Sequence, residues 1–446
     1  MVFGCPMGIM ASVELWREHS MMAFSMRNDD TASTRPQGEA RQPPSRLGVD
    51  LKASRQMASR LRLLVKGDPE PDKQAWATMG QALWEGDKLA DELVAWMHEF
   101  GMARAWPLFE RALSAPRDLT DATPAPLRQF VCRTAGWPDW VREDLVCEGA
   151  QALRSTGLHG MMVLRDAGLM AGYQASAINQ TLVMTGSLHK GAQRRVAETT
   201  SWWLACTEEG GMAPGGAGFM MTLRVRVMHA LVRHQLSQSP KWDAASLGVP
   251  VNQLDMQATY LAFSVVQLLS LKTTGVWLSR RESEAVMHLW RYIGWLMGVD
   301  ERYLCDDEQQ GRTLLYQNVL SQAPADETSV LLGQALMDEP LQRLYPNLAG
   351  LRGRINKARH LSLVRWFVGP KGMRALGLPA TLPWYPLLVM GPFLMRSLVL
   401  HAVPGLMPAW RRWAGQRQRD YLKVLMGAHG SPHLTGGAHP AKRQAS

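Results

Sequence analysis

Apolar residues recur at intervals of three and four along most of this chain, which is the spacing of helices that bury one face. The pattern is clear over residues 73–83, 87–100, 219–235 and 282–297, and no segment shows the alternation of strands. Hydrophobic residues make up 46% and charged residues 20%, so the chain can bury enough apolar surface to fold. The sequence predicts an all-α protein of about a dozen helices.

Four segments of different composition predict the domain organisation. Residues 1–50 are expected to be a disordered tail, because apolar residues are rare from about residue 27 onward while Arg, Pro, Ser and Gln are common. Residues 51–370 are expected to form one large helical domain. Residues 371–426 form an apolar extension rich in proline, and residues 427–446 a second disordered tail.

The apolar extension contains five prolines and Arg396 between residues 378 and 407. A membrane-spanning helix needs about 20 uninterrupted apolar residues, so we predict a hairpin on the surface or docked on the core. The Trp410–Trp413 motif adds cations and interfacial aromatics, which leaves peripheral membrane contact open. No secretory signal is evident in the first 15 residues, and a cytoplasmic location is expected.

Charge and cysteine content exclude several classes of function. The net charge is +10, but Lys and Arg are scattered rather than gathered on one aromatic face, so we expect no nucleic-acid partner. The five cysteines are widely spaced without a Cys-x-x-Cys pair, which indicates reduced thiols rather than a disulfide framework or zinc site. The 27 Met and 17 Trp suit a lipophilic partner.

The strongest candidate for a functional residue is His229, which lies on an otherwise apolar helix face. Arg226 lies three residues before it and Arg233 four residues after it, and buried guanidinium groups are costly unless anions accompany them. One interpretation is a core histidine bonded to a backbone carbonyl. The other is an iron ligand, with the propionates of a haem as anions for Arg226 and Arg233.

Three further motifs carry polar residues. Arg195 and Thr199 lie one turn apart and could address a small polar ligand, although Glu198 beside them also suits an exposed surface. His288 is expected to pack between helices and bond a carbonyl, with a role near a metal as the alternative. Asn252 and its neighbours Gln253 and Asp255 are expected to form a turn and helix cap.

Residues 83–304 resemble the family that contains the MpaB-type enzymes and the latex-clearing proteins, or rubber oxygenases. The resemblance rests on five motifs in order, and 34 residues separate Arg195 from His229, as in the rubber-oxygenase branch. The motifs are Gly86-Asp87-x-Leu89-Ala90-Asp91 with Trp96, Arg195-x-x-x-Thr199, Arg224 to Arg233, Pro250 to Asp255 with Phe263-Ser264, and His288 to Arg291 leading to Gly298-Val299.

The resemblance implies a haem b pocket between helices, with His229 as the proximal iron ligand, Arg195 and Thr199 in the polar set of the pocket, and dioxygen as co-substrate. The implied reaction is oxidative cleavage or oxygenation of a lipophilic small molecule bearing an alkene. Glu198 stands where latex-clearing proteins have a lysine that can cap the iron, so this resting-state ligation is not expected. The alternative is a non-catalytic helical protein that binds a lipid or hydrophobic metabolite. The oligomeric state stays open.

Overall fold

A computed structural model describes residues 42–186 and 191–426, and within these ranges every regular element is a helix. The all-α prediction is confirmed. The parts of the two predicted tails at residues 1–41 and 427–446 lie outside the described residues.

Twenty-one α-helices make up the described chain, several of them short. The first eleven are α1 (Leu51–Met57), α2 (Ser59–Arg62), α3 (Lys73–Ala82), α4 (Lys88–Phe100), α5 (Met102–Ser114), α6 (Ala125–Thr134), α7 (Glu143–Ser155), α8 (Gly157–Val163), α9 (Met170–Gly172), α10 (Ser176–Met184) and α11 (Ala192–Thr207). The remainder are α12 (Ala217–Ser237), α13 (Ala244–Leu247), α14 (Gln253–Leu261), α15 (Gln267–Thr273), α16 (Arg280–Leu296), α17 (Glu308–Ser321), α18 (Glu327–Gln342), α19 (Ala349–Ala375), α20 (Trp384–Ala402) and α21 (Leu406–Met426).

Side-chain caps fix where several helices begin. The Asn252 side chain accepts the Asp255 N–H at 3.0 Å, so α14 starts at Gln253 and the predicted cap is confirmed. Ser279 and Glu282 form a reciprocal capping box at the start of α16. These caps satisfy backbone N–H groups that have no partner within the helix.

The segment before α1 is ordered from residue 42, which corrects the prediction that the disordered tail extends to residue 50. The Arg46 side chain is almost fully buried and donates to the Asp255 carboxylate at 2.7 Å. The Ser45 N–H also donates to the Ala245 carbonyl at 3.1 Å. An ion pair and backbone bonds at this depth hold the segment against the body.

The central layer is formed by α16, which packs along α7 and also touches α12. The pair α11 and α12 forms a helical hairpin, and α12 packs in turn on α4. Two π-helical turns, Leu164–Leu169 and Ala262–Val266, pack against each other in the interior. The last helix, α21, lies across α7, α8 and α11 and closes the body.

The C-terminal extension begins at a kink. Gly369 adopts a φ of +70°, immediately before Pro370, and interrupts the long helix α19 close to the predicted boundary. Beyond it, α20 runs unbroken for 19 residues through Pro386 and Pro392, so the expectation that prolines break this apolar segment is wrong there. Pro386 lies in the first turn, where no intrahelical N–H is needed, and Pro392 removes one bond at an exposed turn.

One buried histidine beneath α20 is expected to make the fold sensitive to acid. His159 is 4% exposed, its ring lies 4.7 Å from that of Phe393, and it bonds the Thr274 hydroxyl at 2.7 Å. Burial, aided by the Arg396 charge, lowers the pKa of His159 to about 3. As pH falls below about 6.5, His159 becomes protonated in the unfolded chain but stays neutral in the folded chain. The free energy of unfolding therefore declines by about 3 kcal/mol by pH 4.

Urea unfolding at several pH values measures this effect. The variant His159→Gln keeps a hydrogen-bonding group but does not titrate, and it should lose less stability over the same pH interval. Equal slopes for the two proteins would refute the assignment.

Candidate functional site

The candidate site is built on the helical hairpin of α11 and α12. Its connecting loop is rich in glycine because the two helices approach closely at this end. A Cβ on Gly218 would lie 2.6 Å from the Cys206 Cα, and one on Gly211 would lie 2.0 Å from the Ala205 carbonyl oxygen. Side chains at these positions would force the helices apart.

The hairpin register places Arg195 level with His229. The Trp202 indole donates to the Thr222 hydroxyl at 2.9 Å and joins the two helices near the loop. Arg195 lies seven residues before Trp202, and His229 lies seven residues after Thr222. Seven residues are close to two helical turns, so both side chains lie about 10 Å further from the loop, on the same faces as the joined pair. The 34-residue interval therefore brings the cation and the imidazole to one level.

Partly accessible side chains interrupt the buried surface at this level. Most of α12 is buried, but Val225, Met228, His229 and Val232 remain partly accessible and share one face. On α11, Arg195 and Glu198 are partly accessible and Thr199 is exposed. The site is thus an apolar strip around one imidazole, with polar groups on the neighbouring helix.

The His229 imidazole is neutral and has no hydrogen-bond partner among residues 42–186 and 191–426. Its Nδ1 is buried without a hydrogen bond, and neither ring nitrogen bonds to any residue in the described ranges. The interpretation as a core histidine bonded to a carbonyl is therefore wrong. Burial lowers the pKa of His229 to about 4, and the Arg233 charge acts in the same direction. A neutral imidazole at pH 7 keeps a lone pair that can bind a metal.

Arg226 and Arg233 find their anions within the protein, which corrects the expectation that haem propionates serve as their partners. Arg226 donates to both oxygens of Asp87, at 2.6 and 2.8 Å, and its third nitrogen reaches the Leu296 carbonyl. Arg233 donates to Asp91 at 2.8 Å and to a backbone carbonyl at 2.7 Å. Both arginines are buried, and two carboxylates from the start of α4 neutralise them.

The sequence motifs around these pairs form a structural clamp. A Cβ on Gly86 would lie 2.8 Å from an Asp91 oxygen, and one on Gly298 would lie 2.2 Å from an Asp87 oxygen. The Gln253 amide bridges the two glycines by donating to both carbonyls, at 2.8 and 3.0 Å. Four of the five motifs from the sequence therefore meet here and hold α12 against α4 behind the His229 face.

Arg195 and Thr199 do not hydrogen-bond to His229. The Arg195 guanidinium contacts the buried Tyr173 phenol and partly offsets the rise in the Tyr173 pKa that burial causes. Glu198 accepts from Arg194 at 3.0 Å within α11. The catalytic roles of Arg195 and Thr199 stay predictions, supported by their level in the hairpin.

His288 is occupied elsewhere. Its Nε2 accepts the Arg142 backbone N–H at 2.8 Å, and its ring packs edge-on against Trp140. Both contacts are with the segment that leads into α7 rather than with a second helix, and the bond is to an N–H rather than the predicted carbonyl. A nitrogen that accepts a hydrogen bond has no lone pair left for iron, so the alternative role near a metal is wrong for this nitrogen.

The chemistry of the donor set bears on which cofactor the site could hold. Across residues 42–186 and 191–426, no three His, Cys, Asp or Glu side chains gather into a metal site. A bare ion needs several protein ligands, whereas iron in a porphyrin takes four nitrogens from the ring and needs one axial donor. A single unpartnered imidazole on an apolar face fits the second case.

A second buried polar cluster was not predicted from the sequence. Glu339 is fully buried and accepts from Arg343 at 2.7 and 2.6 Å and from Arg165 at 3.1 Å. Asp166 accepts from Arg165 and bonds His360 at 2.7 Å. The signal was the adjacent Arg165-Asp166 pair in an otherwise apolar, small-residue stretch. This core cluster joins the first π turn to α18 and α19.

The chain matches a family model described as the catalytic domain of ER-bound oxygenase mpaB/B' and rubber oxygenase. The match covers residues 153–398, more than half of the chain, and includes Arg195, Thr199 and His229. It begins after the Asp87 and Asp91 carboxylates that partner the two arginines.

Two individual proteins are similar to the chain. A rubber oxygenase from Streptomyces sp. (strain K30) is 27% identical over 224 residues, which is 48% of this chain. The chain spans about half the length of that relative, 54%. A structure of latex clearing protein in the closed state aligns with a TM-score of 0.57 at 22% identity, covering 76% of this chain and 91% of the other. The second likeness supports the helical fold.

Proposed function

The chain belongs to the family of mpaB-type and rubber oxygenase catalytic domains, and from this premise we propose that it is a haem b-dependent oxygenase. Its substrate in this proposal is a lipophilic small molecule with a carbon–carbon double bond. The observation that carries the proposal is the neutral, unpartnered His229 imidazole level with Arg195 in the hairpin.

His229 would hold the haem through its free nitrogen lone pair, and its low pKa removes competition from protons above about pH 5. Bound haem would supply the iron at which dioxygen is activated for cleavage or oxygenation of the double bond. Val225, Met228 and Val232, which are partly accessible on the same face of α12, would offer apolar surface to a flat ring and would help to exclude water from it.

Arg195 and Thr199 would act as hydrogen-bond donors beside this surface. A guanidinium and a hydroxyl one turn apart can stabilise negative charge that develops on oxygen. The contact between Arg195 and Tyr173 orients the guanidinium from behind. Glu198 would stay paired with Arg194 and would take no part in holding the haem.

The variant His229→Ala should lose haem retention while keeping its fold. We expect the Soret band of the haem-loaded protein to disappear after gel filtration, with an unchanged far-ultraviolet circular dichroism spectrum. The matched control is His234→Ala on the same helix, which removes a half-buried histidine stacked on His98 at 4.2 Å and should retain haem.

A second variant separates ligation from packing. In His229→Gly, added imidazole can enter the space left by the side chain and should restore the Soret band. Retention of haem by His229→Ala at the level of the unmodified protein would overturn the proposal and favour a binding protein without iron chemistry.

A further inference from the structure

The outward side of α20 is a continuous apolar surface without a protein partner among the described residues. It comprises Leu387, Leu388, Leu394, Met395, Leu398 and Val399, here named the outward face. Leu388 is 65% exposed and Met395 63%, values more typical of lysine than of leucine or methionine. An apolar patch of this extent on a helix marks an interaction surface.

The polar groups of α20 are turned toward the protein. Arg396 stacks between the Phe393 and Trp410 rings, at 4.6 and 4.7 Å, and His401 bonds Glu282 at 2.8 Å. The Ser397 hydroxyl accepts the Trp277 N–H on the inner side. No charge therefore reaches the outward face from its own helix.

The surroundings of the face are strongly cationic. Residues 371–426 contain eight Lys and Arg but one Asp, a net +7 within a chain whose total is +10. Lys371, Arg374, Arg412 and Arg417 are exposed and form no ion pair within residues 42–186 and 191–426. Exposed cations on the two helices that precede and follow an apolar helix complement an anionic surface.

Exposed tryptophans lie at the start of α20 and on the adjoining helix α21. Trp384 opens α20 and is 41% exposed, while Trp413, near the start of α21, is 55% exposed and stacks on Trp410. Tryptophan prefers the boundary between hydrocarbon and headgroups. The exposed indoles of Trp384 and Trp413 therefore suit a surface that lies in that boundary.

The packing on either side of α20 excludes a crossing of the bilayer. With 19 residues, α20 is long enough to span, as is α14 with its continuation over Gln253–Thr273, which is mostly buried in the core. The preceding helix α19 packs on α18, and the following helix α21 packs on α7, α8 and α11 of the same body. Both flanks lie on one side, so α20 can only lie along a surface.

We propose that the outward face of α20 docks the protein on an anionic lipid bilayer, with the helix parallel to the membrane plane. The apolar side chains enter the hydrocarbon boundary, and the exposed cations Lys371, Arg374, Arg412 and Arg417 meet lipid phosphates. The proposal does not depend on the haem or on the oxygenase reaction. The partner of the outward face is a bilayer that contains acidic phospholipid.

Flotation of the full chain with vesicles tests the proposal. We expect binding to vesicles of phosphatidylcholine with about one third phosphatidylglycerol, and weaker binding to phosphatidylcholine alone or at high salt. The variant Leu388→Glu/Met395→Glu should bind at least about tenfold more weakly, because it places charge at the hydrocarbon boundary. Leu331→Glu/Leu351→Glu is the matched control, since both leucines are exposed but lie outside α20, and it should bind normally.

Other partners of the outward face, such as a second copy of the chain or another segment of it, would give different results. No flotation, or equal loss in both double variants, overturns the proposal. Dimers in analytical ultracentrifugation that the Leu388→Glu/Met395→Glu variant abolishes, without vesicle binding, would assign the face to a second copy of the chain. Hydrogen exchange of α20 that is already slow in the vesicle-free monomer would mean that another segment of the chain covers it.

Discussion

Replacing Glu339 with alanine should lower the free energy of unfolding by about 3–5 kcal/mol, because it leaves buried cations without their anion. Burial alone would raise the pKa of Glu339, but Arg343 and Arg165 hold it below its usual value, so the carboxylate is charged. Without it, the buried Arg343 loses its ion pair and the buried Arg165 keeps only Asp166. Urea unfolding followed by circular dichroism measures the loss.

Two variants calibrate this prediction. Glu339→Gln keeps the volume and one acceptor oxygen of the side chain. Its free energy of unfolding should therefore lie between that of the unmodified protein and that of Glu339→Ala. Glu284→Ala breaks the exposed pair with Arg280 and should leave stability unchanged within error. If Glu339→Ala unfolds at the same urea concentration as Glu284→Ala, the cluster does not stabilise the fold.

The second large effect is expected at the clamp behind the candidate site. Asp87→Ala should cost about 3–5 kcal/mol, because the buried Arg226 loses both charge-assisted hydrogen bonds. The loss also frees α12 from the start of α4, so haem retention should fall although His229 is intact. The two measurements are urea unfolding and the Soret band after gel filtration.

A double substitution separates the effect of the Asp87–Arg226 charges on stability from the effect of packing at these two positions. Asp87→Leu/Arg226→Met removes both charges and should recover much of the stability lost in Asp87→Ala, since a buried pair and an apolar pair are often of similar stability. Arg226→Met alone should be destabilised through the unpaired Asp87. Additive losses in the double variant would show that the two side chains do not interact energetically.

Helix positions were predictable from sequence where one face is apolar. Residues 219–235 carry the helical period, and the structure extends that helix by only two residues at each end, to Ala217–Ser237. The Asn252 cap was equally local, since a short amide bonds N–H groups within its own turn. The unbroken α20 was not predictable, because proline disfavours the interior of an average helix. Pro386 is tolerated because it lies in the first turn of α20, where the backbone N–H has no partner within the helix.

The candidate site was predictable in part. The helical period placed His229 on an apolar face, and the 34-residue interval connected it with Arg195. The carboxylate partners of Arg226 and Arg233 were not predictable from the sequence. Asp87 and Asp91 lie about 140 residues earlier, and only the tertiary fold brings them near the two arginines. Residue type alone made propionates and carboxylates equally suitable anions.

The level pairing of Arg195 with His229 has a consequence for how the chain tolerates changes in length. A residue inserted within α11 or α12, between the Trp202–Thr222 bond and either side chain, would rotate that side chain by about 100° away from the other. An insertion in the loop would leave the level intact, but Gly211, Gly216 and Gly218 already fill that turn with backbone contacts. The lengths of α11, the loop and α12 therefore fix the alignment of Arg195 with His229. Engineered insertions or deletions in the hairpin should be tolerated least of any in the body.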